Sequence, residues 1–269
     1  MPSTRLNWRT TKTTQAGGVV VPVAEGLDLE VRGDAGRTQA LPGIRPNTRR
    51  QMLFKRLARP IHKVIDVFRG QPYTERLLGK WIRAAAVPGK VFLEAGPGDM
   101  SMRRFLPRES DYNAIDFAVS EFQLDRVVKR DPRVNLCIAS ITEIPLEDDR
   151  VDVLAAIEML QQIDDIDAAL SEIVRVCRPG ARVIVSIGNG KSHKYARRGP
   201  NPWYVHHWTH DEFAALAGRH GLHLRESRRL MVWIPLPEWL AGRFSYHLPI
   251  SAKNDYYNCY FHYLFEVRK

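Results

Sequence analysis

The spacing of apolar residues changes along the chain and divides the sequence near residue 90. Beyond that point five apolar runs have the length of buried strands: residues 91–94, 112–116, 134–139, 151–157 and 181–187. Residues 166–177 and 211–220 instead repeat apolar positions at helical spacing, and Thr209 and Gly221 supply start and stop signals for the second helix. This alternation predicts an α/β fold whose parallel sheet is covered by helices on both faces.

The end of the chain predicts two further strands, at residues 222–232 and 256–267, which are rich in Tyr, Phe and Val. An apolar stretch around residues 233–250 separates them and contains three prolines. Proline removes a backbone donor and fixes one dihedral angle, so this stretch is interpreted as an insertion rather than a regular element. Its prolines and charged residues also exclude a membrane-spanning helix.

The N-terminal third has a different pattern. Residues 1–48 show no sustained period and predict an irregular arm. Residues 49–68 predict a basic amphipathic helix, and residues 73–86 predict a second helix. Residues 49–88 would thus form a helical cap ahead of the main domain, residues 89–269. The basic helix either packs on the core with its charges outward or lies on an anionic surface.

The net charge of +10 is concentrated at the N-terminal end. Residues 1–90 contain 17 Lys and Arg against 6 Asp and Glu, whereas the remainder contains 23 against 24. A basic segment on a neutral body indicates an anionic contact near that end: a membrane surface, a phosphorylated substrate or nucleic acid. A solvated basic face without a partner is the alternative.

Cysteine content and the N-terminus indicate the compartment. Cys137, Cys177 and Cys259 are odd in number and far apart, so they alone form neither a disulfide scaffold nor a four-ligand zinc site. The basic residues near the N-terminus are not followed by an apolar signal segment. These features predict a cytoplasmic protein, with membrane association left open through residues 49–68.

A glycine loop follows the first strand of the main domain. Gly96 and Gly98 allow a tight turn and let a ligand approach the backbone closely. A dinucleotide-binding loop would have a third glycine where this chain has Ser101, and it usually has an apolar residue where this chain has Glu94. A carboxylate repels a pyrophosphate, but it suits a ligand with a cationic amine or sulfonium.

Several motifs resemble those of the class I S-adenosylmethionine-dependent methyltransferases. The resemblance runs from about residue 73 to residue 226 and includes Asp116 at the end of the second strand. Its other elements are VFLEAGPGDM, IASITEIPLEDDRVDVL, SEIVRVCRPGARVIVS and WTHDEFAALAGRHGLHL. The resemblance implies a Rossmann-like doubly wound sheet, mostly parallel with an antiparallel last strand, and S-adenosyl-L-methionine as the cofactor.

The resemblance also implies roles for individual residues. Glu94 matches the acid near the methionyl end of the cofactor, and Gly96 and Gly98 match the glycines that line it. Asp116 matches the acid that accepts both ribose hydroxyls, which a carboxylate can do with its two oxygens. Tyr73 resembles an N-terminal aromatic residue that closes over the cofactor.

Four further residues complete the implied cofactor site. Ser140 and Ile141 fall where the family contacts adenine, although Asp is common at the first position. Ile157 and Glu158 match the loop beside the transferred methyl group. Met100 replaces a glycine common in the family's loop and is expected to be tolerated if its φ is negative.

The general base of the reaction is not evident from the sequence. Many relatives carry Glu and His where this chain has Gln161 and Gln162. His206 and His207, on a loop rich in aromatic residues, are the candidate catalytic bases. The pKa of an unperturbed imidazole already lies close to neutral pH, so it needs only a small shift for this role. The alternative is that they cap a helix or pack on Trp208. No metal is expected, since no carboxylate or Cys accompanies the histidines at ligand spacing.

These features predict an enzyme that methylates a hydroxyl or amine of a small, partly hydrophobic or lipid-linked metabolite. The apolar insertion and the N-terminal helices would roof its pocket. The alternatives are an RNA methyltransferase that uses the basic N-terminal segment, and a non-catalytic S-adenosylmethionine-binding protein. The sequence does not predict an oligomeric state.

Overall fold

A computed structural model describes residues 3–16, 19–27, 43–45, 71–120, 124, 128–235 and 246–269. Twelve strands and four α-helices lie in these ranges. The strands are β1 (Lys12–Ala16), β2 (Val19–Val23), β3 (Gly43–Arg45), β4 (Phe92–Ala95), β5 (Tyr112–Asp116), β6 (Ala118–Ser120), β7 (Val134–Ile138), β8 (Val151–Ile157), β9 (Cys177–Gly188), β10 (Leu222–Ile234), β11 (Tyr246–Leu248) and β12 (Asn258–Val267). The helices are α1 (Gln71–Ala85), α2 (Ile166–Val176), α3 (His193–Arg198) and α4 (His210–Arg219). The predicted basic helix at residues 49–68 and the insertion residues 236–245 lie outside the described residues.

Ten strands form one sheet in the order β1-β2-β7-β5-β4-β8-β9-β12-β10-β11. Strands β7, β5, β4, β8 and β9 are parallel, and β12 is antiparallel to both β9 and β10. The predicted doubly wound, mostly parallel sheet with an antiparallel last strand is therefore confirmed. Chain order runs outward from β4 in one direction and from β8 in the other, so the order reverses between these two strands.

Helices cover the two faces of the sheet. On one face α2 buries residues Ile166, Ala169, Leu170, Ile173 and Val176, which recur at helical spacing. The Asp165 side chain accepts a hydrogen bond from the Ala168 amide and caps this helix. On the same face α4 begins with a capping box between Thr209 and Glu212, as the start signal in the sequence predicted.

Helix α1 covers the opposite face and reaches the cavity described below. Its Leu78 and Ile82 side chains are buried against the sheet. Gly79 lets the helix approach Phe105, because an added Cβ would lie 2.4 Å from the ring. The Trp81 indole donates a hydrogen bond of 3.1 Å to the Glu226 carboxylate and so links the helix to β10.

The three cysteines are free and buried. Burial raises the pKa of the Cys137 thiol to about 12, so this thiol is protonated and unreactive at neutral pH. Within the described ranges, no helix combines the length and the hydrophobicity that crossing a bilayer requires.

Strand β9 corrects one expectation. The sequence predicts a strand at residues 181–187, but β9 already begins at Cys177. Val151 pairs with Cys177, whereas Val153 pairs with Arg182, so the intervening residues form a bulge. The left-handed φ of 79° at Gly180 permits this bulge without ending the pairing.

The N-terminal segment is also more regular than the predicted irregular arm. Strands β1 and β2 pair antiparallel along five positions, and Val23 of β2 joins Ile138 at the edge of the sheet. The Leu6 side chain lies in the core, and the Trp8 indole donates a hydrogen bond to the Asn135 side chain. The contacts of Val23 with Ile138 and of Trp8 with Asn135 join residues more than 100 positions apart, so no local pattern in the sequence indicates them.

Asn113 anchors this segment to the sheet. Its fully buried amide nitrogen donates to the carbonyls of Thr4 (3.0 Å) and Phe92 (2.9 Å). Its amide oxygen accepts hydrogen bonds from the Leu6 backbone and the Asn135 side chain, both at 2.8 Å. All the hydrogen-bonding capacity of this side chain is thus used inside the protein.

Replacement of Asn113 by Ala should destabilise the protein by about 3 to 5 kcal/mol, because it leaves several buried polar groups without partners. Denaturant unfolding measures this change in the free energy of unfolding. Thr11→Ala is the control, since it removes only an exposed hydrogen bond to Glu25 and should cost less than about 1 kcal/mol. Equal effects of the two substitutions would contradict the anchoring role.

Candidate active site

A cavity of about 440 Å³ opens at the carboxyl ends of β4 and β8, where the strand order reverses. Its walls come from four parts of the chain: helix α1, the glycine loop after β4, the loop after β8, and the far strands β10, β11 and β12 with α3. In open α/β sheets the loops diverge at this point and leave a crevice for ligands. The cavity is therefore the candidate active site.

The glycine loop forms the wall above β4. Gly96 and Gly98 both have left-handed backbone, with φ of 65° and 52°. Gly96 also permits a close approach of the next loop, because an added Cβ would lie 3.1 Å from the Met159 side chain. Met100 corrects an expectation: its φ is 59°, not negative, and its side chain is buried. The loop therefore holds a non-glycine residue in the strained region that glycine usually occupies.

Glu94 lies at the base of the cavity and is 2% exposed. The Tyr112 hydroxyl donates a hydrogen bond to its carboxylate. Burial, together with smaller contributions from the charges of Asp99 and Asp116, raises the pKa of Glu94 to about 8, and the Tyr112 hydrogen bond opposes the shift. A cationic ligand would restore the charged form of this carboxyl.

Glu158 follows β8 on the same side of the cavity. Its φ is 54°. Its side chain is accessible from the cavity, whose walls surround it with protein atoms. This burial among protein atoms raises the pKa of Glu158, and the charge of Lys194 opposes the shift. The side chains of Gln161 and Gln162 donate hydrogen bonds of 3.0 and 2.9 Å to the Glu158 carbonyl. The two glutamines therefore fix the backbone of this loop.

The far wall consists of residues that the sequence analysis did not assign to the site. They are Lys194 of α3, Met231 of β10, His247 of β11 and Tyr260 of β12. Lys194 lies on α3, between β9 and the two candidate histidines, and the other three carry no local motif. Only the pairing of β10 with both β11 and β12 brings them to the cavity.

The cavity brings together Glu94, Gly96, Gly98, Ile157 and Glu158, five of the nine predicted cofactor residues. The other four, Tyr73, Asp116, Ser140 and Ile141, are not part of its lining.

Asp116 and Ser140 nevertheless lie at the same edge of the sheet. Asp116 is half-buried at the end of β5, and it is close enough for its charge to raise the pKa of Glu94. The Ser140 hydroxyl shares a hydrogen bond of 2.6 Å with Thr142, and Ile141 is buried in the core. Tyr73 is 38% exposed at the start of α1. The roles of these four residues stay predictions.

His206 and His207 lie outside the lining of the cavity. The His206 ring stacks on Trp208, and its Nε2 is 2.9 Å from the Ile163 carbonyl. His207 packs over Gly190, where an added Cβ would lie 2.0 Å from its Nδ1. Their role as bases stays a prediction. In the ranges that the structure describes, no three His, Cys, Asp or Glu side chains converge to hold a metal.

Charge in the cavity favours a cationic ligand. Four acidic side chains line it, those of Glu75, Glu94, Asp99 and Glu158, and Lys194 is the one Lys or Arg in its described lining. With a pKa of about 8, Glu94 is largely protonated at neutral pH until a cation binds. Glu75 also forms an ion pair with Arg104, so its charge is partly compensated. The remaining excess of negative charge attracts an ammonium or sulfonium and repels a pyrophosphate.

Comparisons with known proteins agree with this geometry. Residues 93–185 match the family model described as a methyltransferase domain. A malonyl-acyl-carrier-protein O-methyltransferase of Serratia marcescens is 32% identical over 113 residues, which are 42% of this chain and 42% of that protein. A probable S-adenosylmethionine-dependent methyltransferase of Mycolicibacterium smegmatis is 28% identical over 140 residues, 52% of this chain and 54% of that protein. The chain thus spans about half the length of these curated relatives.

The structural comparison concerns the fold. An S-adenosylmethionine-dependent methyltransferase from Thermotoga maritima, described as a possible histamine N-methyltransferase, has a TM-score of 0.52 at 17% identity. The match covers 81% of this chain and 99% of that one. The methyltransferase-domain match over residues 93–185 and this fold agree with the resemblance of the chain to class I S-adenosylmethionine-dependent methyltransferases. The negatively charged cavity beside the glycine loop fits this cofactor, which contains a sulfonium and an ammonium.

The buried carboxyl of Glu94 should make the stability of the ligand-free protein fall as the pH rises. Its pKa is 4.5 in a model compound and about 8 in the folded protein, so between these values only the folded state holds the proton. The free energy of unfolding should therefore decrease by up to about 1.4 kcal/mol per pH unit in this range. Denaturant titrations across this range measure the slope.

Glu94→Gln should flatten this dependence because the amide does not titrate. Glu109→Gln, at an exposed position, is the control and should leave the slope as in the wild type. Identical slopes for the wild type and the Glu94 variant would contradict the assignment of the titration to this carboxyl.

Proposed function

We propose that the protein transfers a methyl group from S-adenosylmethionine to a hydroxyl or amine of a small, partly hydrophobic metabolite. The observation that carries this proposal is the cavity in which Glu94, the glycine loop and Glu158 lie together with several apolar side chains. The matched methyltransferase domain supports the reaction class. The acceptor is inferred from the character of the cavity.

The acidic side of the cavity would hold the cofactor. Glu94 and the left-handed glycines would accommodate the methionyl end, and Asp116 would accept the ribose hydroxyls at the end of β5. The bound cofactor supplies an activated methyl group on a cationic sulfur. The protein mainly contributes alignment, and holding two reactants in a near-attack geometry can account for about 7 to 11 kcal/mol of a barrier.

The remaining wall would hold the acceptor. Leu78, Met102, Ile157 and Met231 present apolar surface to the cavity and would exclude water from the reacting groups. Lys194, His247 and Tyr260 add polar groups that would orient the acceptor beside these apolar side chains. The insertion residues 236–245 connect β10 to β11, and Met231 and His247 of these two strands line the cavity.

The proposal includes a lipid-linked metabolite as the acceptor. Contact of residues 49–68 with an anionic membrane would bring such an acceptor to the cavity. This contact stays a prediction.

Titration calorimetry should show that the protein binds both S-adenosylmethionine and S-adenosylhomocysteine. Asp116→Asn should weaken both by about tenfold or more, since it replaces a carboxylate that accepts two hydroxyl donors. Asp164→Asn, an exposed acid outside the cavity, is the matched control and should leave both affinities unchanged. Failure of the wild type to bind either compound would refute the proposed function.

Transfer of radiolabelled methyl from S-adenosylmethionine into a small-molecule extract then tests catalysis. Label recovered in an apolar solvent fraction would support a partly hydrophobic acceptor, and label in RNA would favour the alternative class. Binding without transfer to any extract would indicate a non-catalytic protein.

A further inference from the structure

Glu158 and Asp116 lie on opposite sides of Glu94, and this order separates a cofactor side of the cavity from an acceptor side. Asp116, Glu94 and Glu158 lie at the carboxyl ends of β5, β4 and β8, three neighbouring strands. Neighbouring strands are about 4.8 Å apart, so Glu158 lies on the far side of Glu94 from Asp116. A cofactor with its ribose near Asp116 and its methionyl end near Glu94 would therefore leave Glu158 facing the acceptor.

The carboxylate of Glu158 differs from the other acids of the cavity. Glu94 accepts a hydrogen bond from Tyr112, Glu75 pairs with Arg104, and Asp99 accepts from the Ser101 amide. In the described part of the chain, the carboxylate oxygens of Glu158 accept no hydrogen bond. This group is exposed to the cavity and free to accept a proton from a ligand.

Hydrogen bonds hold the backbone of Glu158 in a strained conformation, and this fixes the position of its side chain. A non-glycine residue rarely adopts a φ of 54°, yet the Glu158 amide donates a hydrogen bond of 2.7 Å to the Ser186 carbonyl. Gln161 and Gln162 hold its carbonyl from the other side. Such strain persists only when the surroundings enforce it, and it concentrates at functional sites.

The neighbouring groups suit a proton acceptor. Lys194 provides a positive charge that favours the carboxylate form. Burial, with a contribution from the charge of Glu158, raises the pKa of the Tyr204 and Tyr260 hydroxyls, so both remain neutral hydrogen-bond donors near neutral pH. His206 and His207 contact other parts of the chain, outside the cavity lining.

We propose that the Glu158 carboxylate receives the proton of the methyl acceptor, which is therefore an O–H or N–H nucleophile. The oxygen or nitrogen of the acceptor bonds to the methyl carbon while the carbon–sulfur bond breaks and its electron pair goes to sulfur. The acceptor's proton passes to Glu158, which later releases it to solvent. This inference rests on the proposed methyltransferase function.

Binding of two cofactor analogues tests the position of Glu158 without a known acceptor. Sinefungin carries an ammonium where S-adenosylmethionine carries its methyl sulfonium, and S-adenosylhomocysteine has neither charge there. If Glu158 faces this point, the wild type should bind sinefungin more tightly than S-adenosylhomocysteine. Glu158→Gln should reduce that preference by about tenfold or more, because it removes one partner of a charge-assisted contact.

The matched control is Glu75→Gln, which removes the same charge from the helical wall of the cavity. It should change the affinities for both analogues alike and leave their ratio unchanged. An unchanged ratio in the Glu158 variant, with S-adenosylhomocysteine still bound, would overturn the assignment of Glu158 alone. Failure of the wild type to bind either analogue would overturn the proposed function as well.

Glu158→Gly tests whether the strained residue is kept for chemistry rather than for folding. Glycine adopts this backbone freely, so the variant should keep the wild-type melting temperature or exceed it, while it loses the preference for sinefungin. A clearly lower melting temperature together with a retained preference would show a structural role and overturn the inference.

Discussion

The reversal of strand order between β4 and β8 is the constraint on which the site depends. Because the chain leaves these two strands in opposite directions, the connections that follow them diverge and the sheet edge between them stays open. The glycine loop and the loop after β8 then face each other across this gap, with Met159 packed against Gly96. The parallel core, covered by α1 on one face and by α2 and α4 on the other, holds this edge rigid.

The open edge carries features that would destabilise a protein without a ligand. Glu94 is a buried acid with a raised pKa, and Glu158 is an acid in left-handed backbone without a hydrogen-bond donor on its carboxylate in the described chain. Met100 and Met231 add two more non-glycine residues with positive φ around the same cavity. The well-packed sheet beneath offsets these costs, and a cationic ligand would relieve the electrostatic part of them.

Local patterns explain which predictions succeeded. Strands β5 and β8 have the bounds that their apolar runs predicted, and α4 has the predicted cap at Thr209, because neighbours in sequence fix these features. The glycine loop and Glu94 were found because a tight turn and an acid at a strand end leave a readable signal. Strands β1 and β2, the early start of β9 and the positive φ of Met100 were missed. Strand β2 joins the sheet through Ile138, and β9 begins where Cys177 pairs with Val151, so both depend on residues distant in the sequence.

Through the motifs that resemble a known family the sequence indicated the class of cofactor. By itself it determined the order of the long strands and helices from β4 to β12 and the acid beside the glycine loop. Those properties follow from period, turn residues and charge, which a linear chain displays directly. Only the tertiary structure decided that Lys194, His247 and Tyr260 line the same cavity as this acid, and that Glu158 rather than either histidine of residues 206–207 lines the cavity. The pairing of strands far apart in the chain sets these contacts, and no local pattern records that pairing.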